Sequence, residues 1–255
     1  MIELVGVTKS FGGKRAVAGL DLTVRAGELF AFLGPNGAGK TTTIKMVCGL
    51  LTPTTGTVRV GGFPAASREA RQQLAYVPDQ PYLYEKLTGR EFLRFVVEMY
   101  GLEPIHASRR TEELIDTFEM GDYIDELCEN YSHGMKQRVV FASALVHDPK
   151  VLIVDEPLVG LDPRSARIVK DLFVSQARSG VAVLMSTHLL SIAEELADTI
   201  GIIDHGRMLS RGTLEEIRTK AQMHGPLEDL FLKLTGGDRP LTTRPVLVEP
   251  GGDLA

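Results

Sequence analysis

Short apolar runs punctuated by glycine alternate with stretches of helical periodicity along most of the chain. Apolar runs of this length, bounded by turn residues, predict strands. The predicted strands are Ile2 to Val7, Leu20 to Val24, Leu29 to Leu33, Thr57 to Val60, Val151 to Val154, Val181 to Met185 and Thr199 to Asp204. Several are apolar throughout, which is typical of strands buried on both faces of a sheet. The pattern therefore predicts an α/β fold in which helices cover a sheet.

The stretch from about Leu83 to His147 has a different pattern, because almost all of it has the periodicity of helices. Apolar residues recur at helical spacing on repeating faces. They are Phe92, Phe95, Val96 and Met99, followed by Leu114, Ile115 and Phe118. We therefore predict an α-helical lobe, at about residues 83–147, inserted into the α/β core.

The C-terminal part predicts two short helices and a tail. Thr213 and Glu216 have the spacing of a capping box at a helix start. Residues 221–237 predict a C-terminal helix with Leu227, Leu230, Phe231 and Leu234 on one face. Residues 238–255 are rich in Pro, Gly and Thr and are predicted to be disordered. The main domain is therefore predicted to span residues 1–220.

Composition narrows the class of protein. The chain has 255 residues, of which 44% are hydrophobic and 24% charged, as expected for one large domain or a core with an inserted lobe. The formal net charge of −5, with scattered basic residues, argues against a nucleic-acid partner. Cys48 and Cys128 lack metal-ligand spacing and are expected to be reduced packing residues. The chain has neither a long apolar run nor a signal-peptide pattern, so we expect it neither to span a membrane nor to be secreted.

A glycine-rich loop follows the predicted strand Leu29 to Leu33 and precedes a helix-like run. It matches the pattern GxxxxGK[ST], in which backbone N–H groups and a helix start surround a polyphosphate. Lys40 can reach the outer phosphates and the Thr41 hydroxyl can ligate Mg²⁺. The loop is Gly34, Pro35, Asn36, Gly37, Ala38, Gly39, Lys40, Thr41 and Thr42. Its flanking strand and helix favour a nucleotide site over an ordinary glycine-rich turn.

Two adjacent carboxylates end another predicted strand. Val151 to Val154 runs directly into Asp155, Glu156 and Pro157. This arrangement can place Asp155 beside Mg²⁺ and Glu156 beside an attacking water. Acidic residues after a strand can also be ordinary turn chemistry, but the phosphate-binding loop in the same chain favours the catalytic interpretation.

A third motif, Tyr131 to Arg138, places Ser132 before a helical run, where a helix N-cap alone would explain it. Further along come Gly160-Leu161-Asp162-Pro163 and, after a strand, Ser186-Thr187-His188. These motifs, with the phosphate loop and the two carboxylates, resemble in order and spacing the ATP-binding cassette (ABC) ATPases. The resemblance covers about residues 2–220. It implies a P-loop NTPase core with an N-terminal antiparallel β region and an inserted α-helical lobe.

The resemblance also implies roles for individual residues. Ser132 and Gly134 would contact the γ-phosphate of ATP bound to a partner subunit, so that two ATPs lie between two cassettes. The partner would be a second copy of this chain or a paralogous cassette. Asp162 would lie in the loop that contacts the partner's site, and His188 would hydrogen-bond the γ-phosphate. Phe11 matches the aromatic residue that stacks on adenine, although an aromatic before a turn is often only packing.

Two departures from the family pattern concern the site. The usual signature is Leu-Ser-Gly-Gly-Gln, whereas this chain has Tyr131, His133 and Met135 at the first, third and fifth places. The place where the family carries a Mg²⁺-contacting Gln holds Asp79, and Gln80 comes one residue later. Either side chain could reach Mg²⁺.

These residues together imply an ATPase that transfers a phosphoryl group to water. Mg²⁺ would be held by Thr41 and Asp155, and charge would be neutralised by Lys40 and the loop N–H groups. Glu156 would orient the water, with His188 on the γ-phosphate. A regulatory module that only binds ATP would be expected to lack Glu156.

Similarity to transporters implies an integral membrane permease on a separate chain. In such transporters the region of Tyr82 to Thr88 forms a groove that receives a permease helix, although these aromatics could instead be lobe core. The segment Leu227 to Gly236 resembles the ending of ATPases from separate-chain exporters. The chain is therefore expected on the cytoplasmic face of the cell membrane. The alternative is a non-transport ABC ATPase acting on a soluble macromolecule, which usually has a long coiled-coil insert or two cassettes.

Overall fold

The computed structural model describes residues 1–236, which fold into two sheets surrounded by helices. The strands are β1 Ile2–Phe11, β2 Lys14–Val24, β3 Leu29–Leu33, β4 Thr55–Val60, β5 Phe63–Pro64, β6 Leu74–Val77, β7 Val151–Asp155, β8 Ala182–Ser186, β9 Thr199–Asp204 and β10 Arg207–Gly212. The helices are α1 Lys40–Val47, α2 Arg68–Arg71, α3 Gly89–Tyr100, α4 Pro104–Thr117, α5 His133–Leu145, α6 Pro163–Arg178, α7 Leu190–Leu196, α8 Leu214–Ala221 and α9 Leu227–Leu234. A 3-10 turn spans Cys128–Asn130.

The larger sheet has the order β10-β9-β3-β8-β7-β6 and is parallel except for β10 at its edge. Every residue of β3, β7 and β8 is buried, which explains why these segments are apolar apart from Asp155 and Ser186 at the ends of β7 and β8. Because parallel strands end at the same edge, the loops after β3, β7 and β8 meet there. The glycine-rich loop, Glu156 and His188 follow these three strands and therefore lie at this edge.

The smaller sheet, β2-β1-β4-β5, is antiparallel and packs beside α1. Successive side chains of β3 point to opposite faces of the larger sheet and lie in two separate cores. Phe30 and Phe32 join the core shared with the smaller sheet and α1. Leu29, Ala31 and Leu33 join the core on the side of α3 to α6. The predicted α/β class, with an N-terminal antiparallel region and inserted helices, is confirmed.

The helical region differs from the prediction in two respects. Residues 118–132 are not α-helical, although the sequence pattern predicted helix there. The predicted apolar face of α3 is correct for Phe92 and Val96, which pack against the core. Leu93, however, is fully buried, whereas Met99 is 67% exposed. The helix is therefore rotated relative to the expected face, because it packs chiefly against α5 along Leu93 and leaves the opposite apolar residues outside.

Three strands were not predicted. β5 has two residues and β6 has four, so neither carries enough periodicity to be recognised. β10 is an edge strand with mostly half-buried or exposed residues, which weakens its apolar signal.

At the C-terminal end, Thr213 and Glu216 form the predicted capping box of α8, and α9 buries Leu227 and Leu230. Cys48 and Cys128 are both buried free thiols. Within residues 1–236 no helix is long and apolar enough to cross a membrane. The predicted tail lies outside the described residues, and the proposed domain boundaries stay predictions.

Candidate functional site

The glycine-rich loop connects the end of β3 to the start of α1, in a path that two of its glycines make possible. A Cβ at Gly34 would come within 2.4 Å of the Ile203 carbonyl oxygen. Gly39 has φ +108°, and a Cβ there would come within 2.5 Å of the Ala16 carbonyl oxygen. Any other residue at these positions would push the loop off β9 and β2. The loop is therefore held tightly against the end of the sheet.

Helix α1 begins in this loop without a side-chain cap and without an acidic residue in its first turn. As in every helix, the first N–H groups have no intrahelical acceptor, and here no side chain replaces it. The positive end of the helix dipole faces the loop. Such a helix start favours an anion.

The Lys40 side chain lies inside the loop. Its Nζ donates to the carbonyl oxygens of Gly34 at 2.5 Å and Pro35 at 3.3 Å. Burial lowers the pKa of Lys40, while the nearby Glu156 and Asp155 carboxylates act in the opposite direction. The charged amine thus stands between the loop and the two acids, with one side turned to the cavity.

The two carboxylates follow β7. Asp155 pairs in register with Ser186 of β8, whose hydroxyl donates to Asp155 Oδ1. Burial raises the pKa of Asp155, whereas the Ser186 hydrogen bond and Lys40 act to lower it. Glu156 follows with φ +50°, a conformation that is uncommon for a non-glycine residue and is often found at functional sites. This turn directs the Glu156 side chain away from the strand and toward His188.

Glu156 and His188 are hydrogen-bonded to each other. Glu156 Oε2 accepts from the His188 backbone N–H at 3.2 Å and lies 2.8 Å from His188 Nδ1. Because an ionised carboxylate can only accept, the second bond requires a proton on Nδ1. The other ring nitrogen, Nε2, is then left for a ligand. His188 is exposed, so a ligand can reach it.

The loop, Lys40 and the two carboxylates line a cavity of about 300 Å³, whereas His188 contacts Glu156 without lining it. It is lined by Ala16, Pro35, Asn36, Gly37, Ala38, Gly39, Lys40, Thr41, Thr42, Asp79, Asp155 and Glu156. Backbone donors, an ammonium group, hydroxyls and carboxylates therefore converge on one space. This donor set fits a polyphosphate with a divalent cation, because phosphate oxygens suit the donors and carboxylates suit the metal.

Asp79 and Gln80, either of which could reach Mg²⁺ on the sequence pattern, differ in their position relative to the cavity. Asp79 lines the cavity, and its Oδ1 accepts a hydrogen bond from the Gln80 backbone N–H at 2.9 Å. Gln80 is exposed and is not among the lining residues. Ala16, from β2, also lines the cavity, although no sequence signal marked it.

The remaining predicted residues lie elsewhere. Phe11, at the end of β1, is half-exposed, with Lys9 Nζ 5.1 Å from its ring centroid. Ser132 caps α5 by accepting from the Met135 N–H at 3.3 Å. None of the cavity-lining residues belongs to α5 or α6.

The starts of α5 and α6 lie side by side. Asp162 caps α6 by accepting from the N–H groups of Arg164 and Ser165, each at 3.0 Å. A Cβ built on Gly134 would lie 3.7 Å from Asp162 Oδ2. Two helix starts, each capped by an exposed residue, therefore form one surface of the chain.

Tyr131, which departs from the family signature, has a structural place. Its hydroxyl accepts from the Gly89 N–H at 3.1 Å and donates to the Tyr123 carbonyl at 2.8 Å. Burial raises the pKa of the phenol to about 12, so it stays protonated at neutral pH. The hydroxyl thereby ties the start of α3 to the segment that precedes α5.

Tyr131→Phe should lower the free energy of unfolding by about 1–3 kcal/mol, because the buried Gly89 N–H loses its acceptor. Urea denaturation would measure this change. Tyr82→Phe is the matched control, since Tyr82 is 74% exposed and its hydroxyl can remain hydrated. Its effect should stay within about 0.5 kcal/mol. Equal effects of the two substitutions would contradict a structural role for the Tyr131 hydroxyl.

Comparisons with known proteins agree with this geometry. A sequence model of the family described as "ABC transporter" matches residues 17–159. The chain is 42% identical over 220 residues to the daunorubicin/doxorubicin resistance ATP-binding protein DrrA of Streptomyces peucetius, covering 86% of this chain and 67% of that protein. It is 36% identical to the linearmycin resistance ATP-binding protein LnrL of Bacillus subtilis, covering 85% of this chain and 70% of that protein. A solved structure of the ATP-binding subunit of an ABC transporter superposes with a TM-score of 0.88 at 33% identity, covering 92% of this chain and 99% of that one.

Proposed function

Because this chain belongs to the ABC transporter family, we propose that it is the ATP-hydrolysing subunit that powers a separate membrane permease of an exporter. It binds ATP, as its family does. The observation that carries the proposal is the cavity in which the phosphate loop, Lys40, Asp155 and Glu156 converge. Export is supported by the similarity to two resistance ATP-binding proteins.

The loop residues Gly34 to Thr42 would hold the ATP phosphates through their N–H groups. Lys40 would turn from the carbonyls of Gly34 and Pro35 to the outer phosphates, exchanging neutral acceptors for charged ones. Phe11 would stack on adenine, since half of its surface is open.

The Thr41 hydroxyl and Asp155 would hold Mg²⁺ together with phosphate oxygens, as Mg²⁺ usually keeps only one or two protein carboxylates. Bound there, the metal would neutralise charge that develops on the phosphates. Asp79 is the nearer candidate for a further contact, because it lines the cavity and Gln80 does not.

Glu156 would orient the attacking water, and its hydrogen bonds to His188 already fix the carboxylate. His188 would then present Nε2 to the γ-phosphate. Because Glu156 Oε2 accepts the Nδ1 proton, the ring would donate to a γ-phosphate oxygen from Nε2, which requires a proton on that nitrogen as well.

The surface formed by the starts of α5 and α6 would complete the site of a partner cassette. Ser132 and Gly134 lie on one helix start and Asp162 on the other, and neither start lines this chain's own cavity. Helix starts favour anions, so a partner's bound phosphates would suit this surface. We therefore propose a dimer, with itself or a paralogous cassette, that encloses two ATPs.

The permease would contact an exposed aromatic surface on the helical lobe. Tyr82, Tyr84, Phe95 and Met99 are exposed, and the Tyr84 ring lies edge-on to Phe95 with centroids 5.5 Å apart. Aromatic residues and Met are enriched in protein interfaces. Such a contact would hold the chain on the cytoplasmic face of the membrane. A non-transport ABC ATPase is the alternative, and it would need a soluble macromolecular partner instead.

A tagged chain, purified from detergent-solubilised membranes of its own source, should bring an integral membrane permease with it, and ATP turnover should persist in the complex. Recovery with a ribosomal or nucleic-acid complex, and without a permease, would favour the alternative.

The control for this experiment is Lys40→Ala. Loss of a charged hydrogen-bond donor should weaken ATP binding by about 10- to 100-fold. The variant should still co-purify with the permease, because Lys40 is buried in the phosphate loop and is not part of the exposed aromatic surface. Unchanged ATP affinity by calorimetric titration would contradict the assignment of the loop.

A further inference from the structure

The starts of α5 and α6 are connected by one arginine. Arg138, in the second turn of α5, donates to the Ser165 hydroxyl at 2.8 Å and to the Phe118 carbonyl at 3.1 Å. Its side chain is 15% exposed. Ser165 in turn donates to Asp162 Oδ2 at 2.5 Å. A continuous chain of hydrogen bonds thus runs from inside α5 to the cap of α6.

The same arginine is held at the end of α4. The Phe118 carbonyl belongs to the C-terminal turn of that helix, where carbonyl groups lack intrahelical donors. Glu119, with φ +51°, places its carboxylate 2.7 Å from Arg164 and 3.8 Å from Arg138. The Ser165 hydrogen bonds and the charge of Arg138 hold the pKa of Asp162 below its usual range. Asp162 is therefore kept ionised in this arrangement.

An apolar layer holds the same three helices together independently of this polar network. Phe118, Phe141 and Phe173 are fully buried, and come from the end of α4, from α5 and from α6. Their ring centroids lie 6.1 Å apart for Phe118 and Phe141 and 5.9 Å apart for Phe141 and Phe173. The aromatic contacts set which helices pack together. The polar network sets the position of the helix starts at the surface.

We propose that Arg138 is a positioning residue that holds the Asp162 end of α6 against the Gly134 end of α5, so that both meet a partner's bound ATP together. This inference rests on the proposed dimer. A flexible α6 start would have to be ordered when the dimer forms, and that entropy cost would weaken association. A start that is already ordered by Arg138 avoids the cost. Arg138 therefore acts on dimer formation and not on the chain's own ATP binding.

The test uses the full chain carrying Glu156→Gln, in which ATP is retained. Dimer formation with ATP and Mg²⁺ would be followed by light scattering over a range of protein concentrations. Adding Arg138→Met removes the guanidinium but keeps an unbranched apolar chain that replaces the aliphatic stem of the arginine. It should raise the protein concentration needed for dimerisation by about 10- to 100-fold, the usual size of a loss of one or two charged hydrogen bonds. ATP binding to the monomer should be unchanged.

Two further variants separate positioning from general stability. Arg138→Lys keeps the charge but can reach fewer acceptors at once, so its effect should be intermediate. Arg110→Met removes another partly buried arginine, which pairs at 2.9 Å with Asp148, a residue that follows the C-terminal end of α5. It should lower the melting temperature without changing dimerisation.

If Arg138→Met left dimerisation unchanged, or if Arg110→Met weakened dimerisation equally, the positioning role of Arg138 would be wrong, but the proposed dimer would stand. If the parent Glu156→Gln protein stays monomeric with ATP, the proposed dimer itself is wrong, and the inference falls with it.

Discussion

Glu156→Gln should slow ATP hydrolysis by about 10²- to 10⁴-fold while ATP binding persists. The substitution removes the basic carboxylate but keeps the size of the side chain and one oxygen acceptor. That oxygen can still accept from the His188 N–H, so the loop should keep its shape. Lys40 and the loop N–H groups are untouched, which is why binding should survive. Single-turnover phosphate release and calorimetric titration of ATP would measure the two effects.

The matched control is Glu228→Gln, an exposed carboxylate on α9. It should change neither turnover nor affinity. If Glu156→Gln hydrolysed ATP at nearly the rate of the unchanged chain, Glu156 would have no part in orienting the water.

Ser132→Arg should abolish the ATP-dependent dimer of the Glu156→Gln protein. A long charged side chain at the start of α5 would block the partner at the surface where we place its phosphates. Binding of ATP to the same chain should be largely unchanged, because Ser132 does not line its cavity. Light scattering with ATP and Mg²⁺ would report the loss of the dimer, and nucleotide titration would report the retained binding.

Two controls make this result specific. Ser132→Ala removes the hydroxyl, and with it the helix cap (about 1 kcal/mol) and the proposed phosphate contact, but introduces no steric block, so it should weaken the dimer less than Ser132→Arg. Ser108→Arg introduces the same side chain at an exposed position of α4 and should leave the dimer intact. A dimer that persists in the Ser132→Arg protein would overturn the proposed arrangement of two cassettes.

The α3 helix shows where sequence pattern is insufficient. Both Phe92 and Phe95 lie on an apolar stripe at helical spacing, but only the first packs into the core. Periodicity identifies a helix, whereas the buried face depends on which neighbour packs against it. In α3, Phe95 and Met99 stay exposed, and they belong to the surface that we propose for the permease.

The Asp79 and Gln80 pair shows the same limit at the site. Adjacent residues in a loop have no periodicity that could decide which one faces a ligand. The path of the chain after β6 places Asp79 at the cavity. The sequence pattern did not identify Ala16 as a site residue for a similar reason. It reaches the cavity only because β2 packs against the glycine-rich loop.

Sequence alone determined the α/β class, the loop from Gly34 to Thr42 and the two carboxylates Asp155 and Glu156. These features are local, since strand, loop and helix are consecutive and their chemistry is carried by neighbouring residues. Only the tertiary structure decided that Asp79 and Ala16 join this site and that Arg138 connects the start of α5 to that of α6. Such contacts join residues far apart in the chain, and their formation depends on how whole helices and strands pack, which no local pattern encodes.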